Sequence, residues 1–140
     1  MKPASQGRTA PCGRTEALAR LDQARKFQEV AMMVGAEADS VAPSASVAAA
    51  SAVLAGIAAV DAACCASLGR RSRAKGHKAA VELVRQVEPG GANAAKNLDR
   101  LLDLKDSAHY GVINVSGANL KTCLRTAGTL VEFADTVVRS

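Results

Sequence analysis

Hydrophobic and polar positions along the chain alternate with helical periods and divide it into five helical segments. Residues 46–68, SVAAASAVLAGIAAVDAACCASL, are small and apolar almost all round, with a single acid, Asp61, inside the run. A helix without a polar face belongs in the centre of a fold, so this segment is predicted to be the central helix. A first helix is expected from near Thr15, with Glu16 in its first turn, to Gly35. Leu18, Leu21, Phe27, Val30 and Val34 form its apolar stripe, and Arg20, Arg25, Lys26 and Glu29 lie largely outside it. Residues 36–45 read as a linker broken by Pro43, with Ser44 or Ser46 as the cap of the second helix and Gly69 as its stop. A short third helix follows over 77–88, with Ala80, Val84 and Val87 on one face, closed by Pro89, Gly90 and Gly91. A fourth covers about 93–109, and 111–115 form a connector. The fifth runs over 116–138 with Leu120, Cys123, Leu124, Ala127, Leu130, Val131, Ala134 and Val138 on one stripe.

Short connections make sequence neighbours antiparallel. The expected fold is therefore all-α, an up-and-down bundle of about five helices. It forms one domain over 15–140, preceded by a disordered lead over 1–14. Composition fits a core of Ala, Val and Leu: 49% of the 140 residues are hydrophobic and only 2% aromatic, namely Phe27, Tyr110 and Phe133. Helices with such side chains approach closely. The scarcity of rings argues against a sheet protein and against single-strand binding by base stacking. The net charge of +5 permits contact with phosphate or an acidic partner. Cys12, Cys64, Cys65 and Cys123 lack the spacing of a structural zinc site and read as reduced core thiols of a cytosolic protein. No metal and no cofactor are expected. Residues 46–68 are long enough to span a bilayer, but the Ala and Ser content and Asp61 favour a bundle interior and no membrane contact. The lead has basic charges without an apolar stretch, so no secretory signal is seen and the expected location is the cytoplasm.

Three constellations could carry chemistry. The first is Asp61, which needs a partner if it is to stay ionised in an apolar run. On the fourth helix Leu98, Leu101, Leu102 and His109 define a face with Lys105 near its centre. An interior Asp61–Lys105 pair follows as an expectation. The second is a basic loop in which Arg70, Arg71, Arg73, Lys75, His77 and Lys78 occur without an acid, a candidate phosphate or nucleic-acid contact. The third is Lys105, His109 and Tyr110, whose ammonium, imidazole and phenol could perform acid–base work on phosphate chemistry or plug a helix end. No phosphate-binding glycine loop, nucleophile elbow, zinc-protease or calcium-loop motif is present.

The order of VDAAC (60–64), LGRRSRAKGHKAAVELV (68–84) and LDRLLDLKDSAHYG (98–111) resembles the HEPN family of small helical bundles over about residues 46–138. The resemblance implies a homodimer that binds RNA, a nucleotide or a protein partner, in a toxin–antitoxin or defence setting. Many members are metal-independent RNases whose Arg and His, a few residues apart, form a site across the dimer. In this chain Arg71 and His77 are five residues apart and Arg70 and His77 six, counted as intervening positions. At the corresponding late-helix place stand Lys105 and Tyr110. The implied catalytic set is His77 as base and Arg71 (or Arg70) on phosphate, assisted by Lys105, His109 and Tyr110. Arg70, Arg71, Arg73, Lys75 and Lys78 would contact the nucleic acid. A third class of function is a non-catalytic assembly protein acting through its helix faces.

Overall fold

In a computed structural model of the chain, residues 8–37, 43–73, 76–110 and 116–140 are described, with the side chains of 105–110 outside that description. The described residues are mostly helical, and five helices pack together. In order the elements are strand β1 (Thr9–Pro11), helix α1 (Arg14–Gly35), helix α2 (Ser44–Leu68), strand β2 (Arg70–Ser72), helix α3 (Lys78–Val84), helix α4 (Gly91–Tyr110) and helix α5 (Gly117–Arg139).

Helix α2 is the core. Every residue from Ala55 to Cys65 is buried, and the helix touches α1, α3, α4, α5 and β2. By length and composition it could cross a membrane, yet 78% of its apolar window is covered by the rest of the chain. Its close packing depends on Gly56. A Cβ there would lie 2.5 Å from Leu101 Cδ2 of α4 and 3.1 Å from Leu130 Cδ1 of α5, so any side chain would force these two leucines to shift. The helix stops at Gly69, which adopts a left-handed φ of 71° and donates its N–H to the Cys65 carbonyl at 3.2 Å. At the other end neither Ser44 nor Ser46 is the cap. Pro43 occupies that position, and no side chain bonds the first turn.

Helix α1 packs differently from its expected stripe. Ala17, Leu21, Ala24 and Ala31 are buried, whereas Leu18 is 42% and Val30 37% exposed. The helix buries its row of small residues, because alanines let packed backbones approach and multiply contacts that one large side chain would hold apart. Helix α5 keeps its expected stripe, with Thr126 added and Leu124 half-buried. Its first turn is capped by Ser116 Oγ, which accepts from the Asn119 N–H at 3.1 Å.

Contacts between ends fix the direction of the long helices. Arg20 meets Asp61 and Gly35 faces Ala48, so α1 and α2 are antiparallel. Arg14 bonds the Val138 carbonyl, Arg25 pairs with Asp135, and Gly35 faces Leu120 and Leu124. Helix α5 is therefore antiparallel to α1 and runs with α2. Strict alternation of five helices would make α1 and α5 parallel. The difference arises because α3 ends after seven residues and does not act as a full strut.

Three expectations are corrected at the end of the bundle where α2 stops. Residues 9–11, expected in a disordered lead, form β1. Residues 70–72, expected in a loop, form β2, antiparallel to it with Thr9 opposite Ser72, Ala10 opposite Arg71 and Pro11 opposite Arg70. Cys12 and Cys65 are joined by a disulfide with a Cα–Cα distance of 5.2 Å, so these two are not reduced thiols. Cys64 and Cys123 are free and buried. A cross-link between positions 53 residues apart removes chain entropy worth up to about 4 kcal/mol from the unfolded state.

Candidate anion-binding face

The buried carboxylate of Asp61 meets Arg20. Arg20 Nη2 donates to Asp61 Oδ2 at 2.7 Å, with the two side chains 29% and 10% exposed. Arg20 Nη1 also donates to Gln23 Oε1 at 2.6 Å, while its Nε is buried with no hydrogen-bond partner among the described residues. The expected partner, Lys105, lies in α4 with its side chain outside the described residues. Arg20 was missed because it sits off the α1 apolar stripe. Register would have found it: with Gly35 facing Ala48, Asp61 is level with position 22 of the antiparallel α1, within one turn of Arg20.

Beside this pair the Cys64 thiol is pushed up to about 12, first by burial and then by the Asp61 charge, with Arg70 opposing. Burial also raises the Cys123 thiol. Neither is a thiolate near neutral pH, so neither supplies a nucleophile. No group of three His, Cys, Asp or Glu among the described residues is placed to hold a metal.

The basic segment has a definite shape. Successive residues of a strand point to opposite faces, and directly opposed residues of paired strands share a face. Arg71 is opposite Ala10, and the Arg73 N–H donates to the Arg8 carbonyl at 2.9 Å, which continues the register by one pair. Arg71, Arg73 and Arg8 thus belong to one face of the ribbon. Arg8, outside the expected contact set, comes from the N-terminal strand. No spacing in the sequence joins it to Arg73, because the pairing spans most of the two first helices. Arg70 belongs to the other face and donates to Gln86 Oε1 at 3.0 Å, beyond the end of α3.

No acidic side chain among the described residues pairs with Arg8, Arg71 or Arg73. Lys78 is in a different state. It pairs with Asp99 of α4 and with Asp103 at 3.6 Å, and the hydrogen bond to Asp99 holds its ammonium above the usual lysine range. Two carboxylates offset its charge in this arrangement, unlike Arg8, Arg71 and Arg73. His77 occupies the N-cap position of α3. Lys75 lies outside the described residues, as do the side chains of Lys105, His109 and Tyr110. The expected catalytic set is therefore placed only in part: Arg71 on β2, His77 at the start of α3, and the other three in the last turns of α4.

The comparisons with known proteins add no identification: no family model, no curated protein and no solved structure matches the chain.

Proposed function

We propose that this chain is a helical nucleic-acid-binding protein and that the Arg8, Arg71 and Arg73 face contacts the phosphate backbone. The observation that carries the reading is the like-charged cross-strand pair. Arg8 and Arg73 are directly opposed with Arg71 beside them and no acid among the described residues paired with them. Like charges in that relation weaken a ribbon, and a polyanion bridging them removes the repulsion. The scarcity of aromatic residues favours backbone contact over stacking on bases. The likeness to HEPN bundles, a homodimer and a toxin–antitoxin or defence setting belong to the same proposal. So does a cytoplasmic location, where a disulfide is a reversible bond rather than a permanent one.

The test is fluorescence anisotropy with a labelled oligouridylate. The expected result is a salt-sensitive complex that Arg71→Ala weakens and Lys78→Ala leaves unchanged, since Lys78 is held by Asp99 and Asp103. Absence of a salt-sensitive complex would overturn the reading. Equal weakening by both substitutions would move the contact away from the ribbon face.

A further inference from the structure

We infer that the Cys12–Cys65 disulfide is a redox clasp that assembles the arginine face: oxidised, it fixes Arg8 opposite Arg73, and reduced, it lets Arg8 leave while the helices stay packed. This rests on the proposed phosphate contact, whose regulation it describes.

Strand β1 has little else to hold it. It is three residues long and its packing partner is β2. A two-stranded ribbon of this size is marginal in water. Beyond the strand pairing, the Arg73 N–H bonds the Arg8 carbonyl and the Cys12 N–H bonds the Gly69 carbonyl at 3.0 Å. The disulfide anchors the strand from its end, at Cys12, to Cys65 in the last turn of α2. Helix α1 starts at Arg14 and is fastened independently, through the Arg14 bond to the Val138 carbonyl and the Arg20–Asp61 pair. Reduction thus releases the segment N-terminal to α1, and with it Arg8, without removing a contact between helices.

The two sulfurs differ in access. Cys65 is buried, whereas Cys12 is half-buried at the rim. The neighbouring Cys64 is protonated and buried, so it does not exchange with the bond. The reductant is an external dithiol. One of its thiolates attacks Cys12 Sγ, the S–S bond breaks, and Cys65 leaves as a thiolate that takes a proton. The second dithiol sulfur then displaces Cys12 from the mixed disulfide. Two electrons and two protons pass to the chain, which ends with two thiols, and the dithiol ends as a disulfide.

The experiment measures oligouridylate binding by the oxidised and dithiothreitol-reduced protein, each with and without Arg8→Ala, with far-ultraviolet circular dichroism on every sample. Reduction is expected to lower the salt slope of binding by about 0.7, the share of one phosphate contact on a single strand. Arg8→Ala should lower it by the same amount in the oxidised protein and have no further effect in the reduced one. Circular dichroism should keep its helical signal throughout. Equal effects of Arg8→Ala in both redox states would overturn the clasp, and so would loss of helix on reduction, which would make the bond a general staple. If the oxidised protein binds no oligouridylate, the phosphate reading fails and regulation of that site falls with it. Amide exchange at Cys12 and Arg73 then decides the mechanical part separately: protection lost on reduction supports release of β1, and protection retained contradicts it. The Cys12→Ser variant, which cannot form the bond, should behave as the reduced protein in each assay, and oxidised-like behaviour would contradict the inference.

Discussion

The middle of α2 and the ribbon at its C-terminal end are neighbours in sequence, and they are built on opposite terms. From Ala55 to Cys65 the chain is buried residue by residue, in a helix packed by five other elements. The single charge in that stretch is met by Arg20 at 2.7 Å. In the ribbon past Gly69 no residue of β1 or β2 is fully buried. The three-residue strand β2 is held by a second short strand and a covalent bond close by, with arginines crowded on one face. The first region spends its residues on packing. The second retains a charge arrangement that packing alone would select against. Unrelieved like charge on a pinned ribbon is the reason the proposed phosphate contact is placed in the second region.

The largest effect should come from removing the partner of Asp61, the one buried charge among the described residues. Arg20→Ala leaves the Asp61 carboxylate in the core and should cost about 3 kcal/mol in urea unfolding. The apolar double variant Arg20→Met/Asp61→Leu should recover most of that loss. A double variant as unstable as Arg20→Ala would mean that the pair holds more than its own charges. Gly56→Leu comes next. Its side chain would meet Leu101 and Leu130, and overpacking of this kind costs roughly 1–3 kcal/mol. A thermal melt unchanged from the parent would show that α2 does not set the helix spacing.

Cys64 gives a pH-dependent effect that is absent at neutral pH. Its folded value near 12 exceeds the ordinary 9.0, so the folded chain keeps a proton that the unfolded chain loses. Stability from this group is therefore full below pH 9.0 and declines as pH rises toward 12, by about 1 kcal/mol per pH unit. Comparison of the parent with Cys64→Ala by denaturant titration at alkaline pH isolates it, and identical pH profiles would remove the assignment. The smallest expected effect is the most informative about the ribbon. Arg73→Glu turns a repulsive cross-strand pair into an attractive one and should raise stability by about 0.2–1 kcal/mol while weakening oligouridylate binding. A substitution that improves the fold and harms the contact is the signature of a site held at a cost in stability. Loss of both together would make Arg73 a structural residue.

The core was more legible than the ribbon. An apolar helix with no polar face, a clean α5 stripe and a glycine after Leu68 all follow from local periodicity and turn chemistry, and α2, α5 and Gly69 occupy those roles. The α1 stripe was misread because residue size was weighed above closeness. Ala17, Ala24 and Ala31 are buried while Leu18 and Val30 lie outward. The ribbon was illegible for a different reason. Three-residue strands carry no periodicity, and the bond between Cys12 and Cys65 spans 53 positions with no motif to announce it. The arginines of 70–73 could be read as a basic segment, but their common face with Arg8 exists only through that long-range pairing. The partner of Asp61 lay between these cases, recoverable from hairpin register and hidden to a search of helix faces.

One measurement tests the central claim most directly: the dependence of oligouridylate affinity on salt concentration for the oxidised parent and for Arg8→Ala/Arg71→Ala/Arg73→Ala. Three phosphate contacts on a single strand give a slope of about −2 in log affinity against log salt. The account predicts such a slope for the parent and its near-complete loss in the triple variant, with the helical content unchanged. A triple variant that binds with the parent's slope would contradict the assignment of the ribbon face as the phosphate contact.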